Sequence, residues 1–370
     1  MTHFFQAFYQ ILTLPLFITS DSGEFLDRFD ADFRSFRKTE RASATCFVAE
    51  FRRSDRAAVL HLDERQYDIT GHPCPDLYAY RVLLRGLIER LSDFLIIQGG
   101  VVHDGSATLL VTGPPGSGKS TLVYHLLQKG FTFLSDEFCP IEFATGLVHP
   151  FPRSLWLATD ALPHDSTERV QRSRGRKRPV PPETIARRVA EEPLPLTHIV
   201  YLDPGHARPW CELEIGLKSP GPSPFLDELR NIGIPAISRL GADDREWKIR
   251  YPMRHGPGEK VLQLIRKYEH QLWIIYRKDT VEPDFSVTPV LKAMPVDELC
   301  FALLRDLKQW RLFENDRPSV GNSPGQFFAH LIGRLAGIPA YRLRVGERNT
   351  MLHLVHTVLS DDVRERKYDR

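Results

Sequence analysis

The chain has 370 residues, 42% of them hydrophobic and 26% charged, enough for two or three domains with a sizeable core. A formal net charge of +2 gives no global electrostatic reason to expect nucleic acid or a membrane as partner. The five cysteines (Cys46, Cys74, Cys139, Cys211 and Cys300) form no C-x-x-C pair, which argues against a disulfide framework or zinc site and for a reducing compartment, by default the cytoplasm.

Residues 4–18 are apolar, but they lack a basic leader region, carry Gln6, Gln10 and Pro15, and show no small-residue cleavage site, so a signal peptide is not expected. No stretch reaches about 18 apolar residues, so no spanning helix is expected either. Residues 21–41 are polar and charged and read as an irregular connection. Residues 45–51 (TCFVAEF) and 57–62 are rich in strand formers around a charged turn, which predicts a hairpin. Residues 76–93 predict an amphipathic helix, with Leu77, Tyr80, Leu83, Leu84, Leu87, Ile88 and Leu91 on one face and Pro75 just before its start. On this pattern residues 1–93 form an accessory domain of short strands and a packing helix, and residues 94–370 a second domain.

In that second domain, residues 94–97 and Val101-Val102 are apolar, and Asp104-Gly105 predicts a type I′ hairpin turn. A strand over 106–111 then meets Gly113-Pro114-Pro115-Gly116-Ser117-Gly118-Lys119-Ser120, which fits the phosphate-loop pattern G-x-x-x-x-G-K-[ST] at every fixed position. Such glycines let backbone amides converge on phosphate oxygens, and the helix that follows contributes its positive N-terminal end. Residues 113–121, Thr121 included, are thus candidates to hold ATP. Lys119 would reach the β- and γ-phosphates and Ser120 would ligate Mg²⁺. The helix is expected to run from Lys119 to about Lys129, closed by Gly130. A short strand over 131–134 follows, with Asp136-Glu137 at its end.

The stretch 169–178 (RVQRSRGRKR) holds six positive charges in ten positions and reads as a solvated loop or as an electropositive lip near the site. Residues 197–202 (THIVYL) predict a strand. Residues 216–258 read as an irregular Pro- and Gly-rich insertion with a helix near 224–231. A helix from Glu259, a strand over 272–276, a helix over 297–310, a helix opened by Ser323-Pro324 and closed by Gly337, a strand over 340–345 and a helix over 350–359 complete an α/β pattern.

Only 15 residues separate Ser120 from Asp136, one helix plus one short strand. An acid at the end of the strand after the phosphate helix is the arrangement of phosphotransferases, where it can hold Mg²⁺ or take the proton of an attacking hydroxyl.

At these residues the chain resembles the HPr kinase/phosphorylase family, related in fold to phosphoenolpyruvate carboxykinase, in which a hairpin precedes the phosphate loop and a helix then leads to a strand ending in two acids. It is nearest to the HPr-kinase-like proteins of peptide-modification gene clusters, through L-S-D-E-F at 134–138, P-F-P-R at 150–153 and P-A-Y-R-L-R at 339–344. The resemblance implies an α/β P-loop kinase core that transfers phosphoryl from ATP to a hydroxyl, a serine of a peptide or small protein, and leaves homo-oligomerisation open. It implies Asp136 as general base, Glu137 as a Mg²⁺ ligand with Ser120, and Arg153 as a neutraliser of charge on the transferring group. A second metal-side acid would be Glu191 or Glu192. One departure stands out: Gln98 occupies the position of a family histidine that opens the hairpin, so steps requiring a protonatable group there, phosphorolysis among them, are not implied. His103, in the same hairpin, reads as a turn residue. Two other readings remain: a small-molecule kinase of the shikimate or gluconate type, whose phosphate loop ordinarily lies near the N-terminus, and a nucleotide-binding regulatory module.

Overall fold

The computed structural model describes residues 4–40, 46–54, 57–72, 74–158, 177–205, 208–219, 223–234, 236–239, 246–253, 257–304 and 324–368. It is a mixed α/β structure built on several sheets.

The apolar N-terminal stretch becomes strands β1 (Phe5–Ile11) and β2 (Leu14–Ser20), whose alternating burial is that of a half-buried hairpin. Helix α1 (Gly23–Phe33) follows, where an irregular connection was expected. Its signal is the capping serine: Ser22 Oγ accepts from the Phe25 amide, and Phe25, Leu26, Phe29 and Phe33 form the buried face. Glu24 and Asp27 are exposed on the other face while the charged Asp32 is itself buried, so composition conceals the period.

Strands β3 (Arg37–Lys38), β4 (Phe47–Arg53), β5 (Ala58–Leu62) and β6 (Arg65–Asp68) complete a six-stranded sheet in the order β3-β1-β2-β4-β5-β6, and β4–β5 is the expected hairpin. Helix α2 (Pro75–Arg90), the expected packing helix, buries Ala79, Tyr80, Leu83 and Leu87. It shares with α1 and this sheet a core that also takes in Phe94, Phe138 and Phe151 from further along the chain.

Strands β7 (Phe94–Ile97), β8 (Gly99–His103) and β9 (Thr108–Thr112) come next. The β8–β9 connection is a four-residue loop rather than a type I′ turn. Asp104 Oδ1 accepts from the amides of Ser106 and Ala107, and only Gly105 takes a positive φ. Helix α3 (Lys119–Gln128) and strand β10 (Thr132–Ser135) follow, with Gly130 at φ +96 between them. Strands β11 (Cys139–Glu142), β12 (Leu147–Val148), β13 (Leu155–Ala158), β14 (Lys177–Val180) and β15 (Leu194–Pro195) make a small sheet β15-β12-β11-β7 and the pair β13–β14. Of the basic stretch 169–178, residues 169–176 lie outside the described residues; Lys177 and Arg178 open β14.

Strand β16 (His198–Asp203) runs parallel to β9 and is fully paired into the central sheet. Residues 208–282, read from sequence partly as an irregular insertion, fold instead as β17 (Arg208–Leu217), α4 (Pro224–Asn231), β18 (Ala236–Arg239), β19 (Glu246–Pro252), α5 (Pro257–Lys267) and β20 (Leu272–Glu282). The strands pair antiparallel in the order β18-β19-β17-β20, which with two helices on one face is the βαββαβ arrangement of ferredoxin-like units. One face carries Cys211, Leu213, Ile215 and Ile249 against Phe225, Leu229, Val261 and Leu264 of the helices. The other carries paired charges such as Glu212 with Lys248 and Arg250. Among the described residues that suggested irregularity, Gly216 and Pro252 lie within β17 and β19, and Pro224 and Pro257 open α4 and α5, the helix position where proline is tolerated.

Strand β21 (Val290–Ala293), helices α6 (Val296–Leu304) and α7 (Pro324–Leu335), strand β22 (Ala340–Arg344) and helix α8 (Arg348–Tyr368) end the chain. The expected helix to 310 is described as far as Leu304, and Ser323 lies outside the described residues. The central sheet has the order β10-β8-β9-β16-β22-β21, parallel across β9, β16 and β22 and antiparallel at both margins. Leu109 and Val111 face α3 and α8, while Leu110 faces the side of α6 and α7. Burial on both faces explains why β9 reads as an unbroken apolar run. No helix among the described residues is long and apolar enough to cross a membrane.

Candidate functional site

β8 is antiparallel to both β9 and β10, so β9 and β10 run the same way and end at the same edge of the sheet. That topology is what brings the two sequence motifs together. The glycine-rich loop leaves β9 there, beside its parallel neighbour β16, the usual place for a ligand in an open α/β sheet. Gly113, at φ +142, admits no side chain because a Cβ would lie 2.6 Å from the Leu202 carbonyl oxygen.

Gly118, at φ +94, is the N-cap of α3. The amides of Lys119, Ser120 and Thr121 therefore precede the first intrahelical bond, from Leu122 N to Gly118 O at 2.9 Å. Lys119 Nζ folds back across the loop and donates to the carbonyls of Gly113 (2.7 Å) and Pro114 (3.1 Å). Pro114 also accepts from the Ser117 amide at 3.1 Å, and the buried Ser117 hydroxyl has no hydrogen-bond partner.

Ser120 Oγ donates to Asp136 Oδ1 at 3.2 Å, so the hydroxyl of the loop and the acid of the next strand meet directly. Asp136 is 4% exposed and abuts β8 closely enough that a Cβ on Gly100 would come within 3.2 Å of Oδ1. Glu137 follows at φ +71, an uncommon conformation for a residue other than glycine. Its carbonyl accepts from the Gly99 amide at 3.3 Å.

Arg153 is 2% exposed. Its Nη1 donates to Glu137 Oε2 at 3.0 Å, and its Nη2 donates to Asp32 Oδ2 at 2.5 Å and to the Tyr80 hydroxyl at 3.2 Å. Phe33 and Phe138 lie 4.9 Å from its guanidinium carbon. Burial opposes its charge, but Tyr80, Glu137 and Asp32 outweigh that and hold its pKa above the ordinary arginine value. Burial likewise raises the Tyr80 pKa, so its phenol stays neutral and donates to Asp32 Oδ2. The resemblance put Arg153 on the transferring phosphoryl group; the structure turns its guanidinium toward Glu137 and the N-terminal helices. Asp32 and Tyr80 went unnoticed in the sequence, because α1 was not recognised and Tyr80 read only as one apolar position of α2.

Gln98 sits at the root of the loop, where its carbonyl accepts from Thr112 Oγ1 at 2.8 Å. His103 lies at the far end of the same hairpin, its Nδ1 3.2 Å from Thr108 Oγ1. Residues 188–190 run beside β10, with the Ala190 amide donating to the Phe133 carbonyl at 2.8 Å, and Glu191 and Glu192 are exposed just beyond. The βαββαβ unit also reaches the loop. Val281 N and Thr280 Oγ1 donate to the Pro115 carbonyl at 3.1 and 3.3 Å, and Phe285 packs at Gly118. The same unit touches α2 through Arg81 and Glu214, 3.3 Å apart.

Among the described residues there is no cluster of three or more His, Cys, Asp or Glu arranged to hold a metal. Mg²⁺ bound with a nucleotide needs only one or two carboxylates, the phosphates and water supplying the rest. Ser120, Asp136 and Glu137 fit that smaller requirement, and the unpartnered Ser117 hydroxyl within the loop fits a site built for polar atoms. No protein-family model matches this chain, and no curated protein matches it.

Proposed function

We propose that the chain is an ATP-dependent kinase with a P-loop core of the HPr-kinase-like type, transferring phosphoryl to a hydroxyl, most plainly a serine of a peptide or small protein. The observation that carries this reading is the 3.2 Å contact between Ser120 Oγ and Asp136 Oδ1 at the shared edge of β9 and β10. It sets a carboxylate beside the place where a loop of this kind holds the terminal phosphates.

On this reading the loop amides, the N-terminal end of α3 and Lys119 bind the triphosphate, Lys119 exchanging the Gly113 and Pro114 carbonyls for phosphate oxygens. Bound Mg²⁺, held by Ser120 with Glu137, would neutralise charge on the β- and γ-phosphates. Asp136 accepts the proton of the acceptor hydroxyl as its oxygen bonds to the γ-phosphorus. The bond from that phosphorus to the bridging oxygen breaks, and ADP leaves. Gln98 holds its place at the root of the loop through its backbone carbonyl and offers no protonatable side chain, so the reading is of forward transfer.

A second reading, a nucleotide-responsive regulatory module, draws support from the βαββαβ unit, whose hydrogen bonds to Pro115 would feel any change in the loop. Incubation with γ-labelled ATP, Mg²⁺ and either serine-containing peptides or a metabolite panel separates the possibilities. Label on peptide is the expected result. Label on a metabolite would point to a small-molecule kinase, and binding without acceptor-stimulated transfer to the regulatory module.

A further inference from the structure

Glu137 is held in a backbone conformation that residues other than glycine keep only where the surroundings fix it. Arg153 Nη1 grips its carboxylate, and the guanidinium lies over the ring of the next residue, Phe138. Arg153 is held in turn by Asp32, 121 residues earlier in the sequence, and by Tyr80. Asp32 is further anchored through Oδ1, which accepts from Trp156 Nε1 at 2.8 Å. A continuous line of charge-assisted bonds thus runs from α1 and α2 to the turn that ends β10.

We infer that Asp32, Tyr80 and Arg153 are positioning residues that set the Asp136-Glu137 turn, so that the N-terminal sheet and its helices govern how the site takes up Mg²⁺. The inference rests on the kinase reading for the identity of the metal, but not for the mechanical part. Two features distinguish this line from an ordinary buried ion pair. It ends on a residue of unusual backbone conformation rather than on a regular element. It also ends at a side chain that is 36% exposed, next to the acid that meets Ser120, whereas Asp32, Tyr80 and Arg153 are buried. Orientation of metal-side acids by hydrogen-bonded partners behind them is a general device.

The test uses the full chain with Asp32→Asn, Asp32→Glu and Tyr80→Phe. Hydrogen exchange without ligand reads the turn itself: amides of residues 136–139 should exchange faster in Asp32→Asn, while those of β9 keep their protection. A fluorescent ATP analogue, titrated with and without Mg²⁺, reads the site. Metal-free affinity should be unchanged, whereas the Mg²⁺ concentration for half-maximal effect should rise about tenfold or more in Asp32→Asn and recover in part in Asp32→Glu. Should Asp32→Asn fail to fold, Tyr80→Phe, which loses one hydroxyl, carries the same test with a smaller rise. Unaltered exchange together with unaltered Mg²⁺ dependence in a folded variant would overturn the inference. If the wild-type chain binds no nucleotide under either condition, the kinase reading fails, and the exchange measurement alone decides whether the turn is positioned from Asp32.

Discussion

Gly116→Ala tests the seating of the βαββαβ unit on the glycine-rich loop. Gly116 has φ +86, where an alanine costs about 1–2 kcal/mol from backbone sterics alone. Its Cβ would also stand 2.2 Å from Thr280 Oγ1, 2.4 Å from Val281 O and 3.0 Å from Val281 N. Two of those three atoms belong to the backbone and cannot rotate away, so the end of β20 must shift, which costs about 1–3 kcal/mol as overpacking. The shift also weakens the hydrogen bond from Val281 N to Pro115 O, for about 0.5–1.5 kcal/mol.

Together these predict a loss of about 2.5–6.5 kcal/mol for Gly116→Ala. Gly130→Ala isolates the backbone part, since Gly130 has φ +96 and nothing within 4 Å of its would-be Cβ; it should lose only about 1–2 kcal/mol. Urea unfolding of both variants, compared at equal slopes, gives the difference directly. Adding Thr280→Ala to Gly116→Ala should recover only part of the loss, because Val281 O remains. Equal losses at Gly116 and Gly130 would show that β20 does not rest on the loop in solution, and the coupling between the βαββαβ unit and the candidate site would have to be abandoned.

Asp136→Asn should lower peptide phosphorylation by about 10²–10⁴-fold while leaving ATP binding nearly intact; a retained transfer rate would remove Asp136 from the role of base. Lys119→Ala should weaken nucleotide binding, read by titration with the same fluorescent analogue. Arg153→Met should cost about 3–5 kcal/mol in urea unfolding because Asp32 is left buried and unpaired, and combining it with Asp32→Asn should restore part of that stability. His72 packs against Tyr78 and Trp273, its Nδ1 accepts from the Cys74 amide, and its Nε2 has no partner. Burial holds its pKa below the ordinary value of 6.5, so the folded state binds fewer protons there than the unfolded one. Its contribution is therefore fully present above about pH 6.5 and declines as the pH falls through that value and below. Urea midpoints measured across that range should show the decline, and His72→Phe should flatten it.

Several elements were legible because one local signal sufficed for each. The apolar run of β9, the loop pattern at 113–120, the periodic α2 and the proline and glycine marks of α7 all lie within a few residues of the structure they specify. Where the reading failed, the deciding signal was masked or distant. Charged residues on the outer face of α1 hid the period of Phe25, Phe29 and Phe33. In the βαββαβ unit, β17 is paired on both sides by strands that begin about thirty or more residues later, and no local pattern announces such pairing.

The amino-acid sequence by itself determined the two halves of the candidate site, because backbone freedom at Gly113 and Gly118 and the chemistry of Lys119, Ser120 and Asp136 are properties of the residues. Only the tertiary structure decided that the halves meet, since β8, antiparallel to both β9 and β10, sends the two strand ends to one edge. It alone decided where Arg153 points. A guanidinium can serve a phosphate or a carboxylate equally well in chemical terms, and in the fold this one is buried against Asp32, Tyr80 and Glu137.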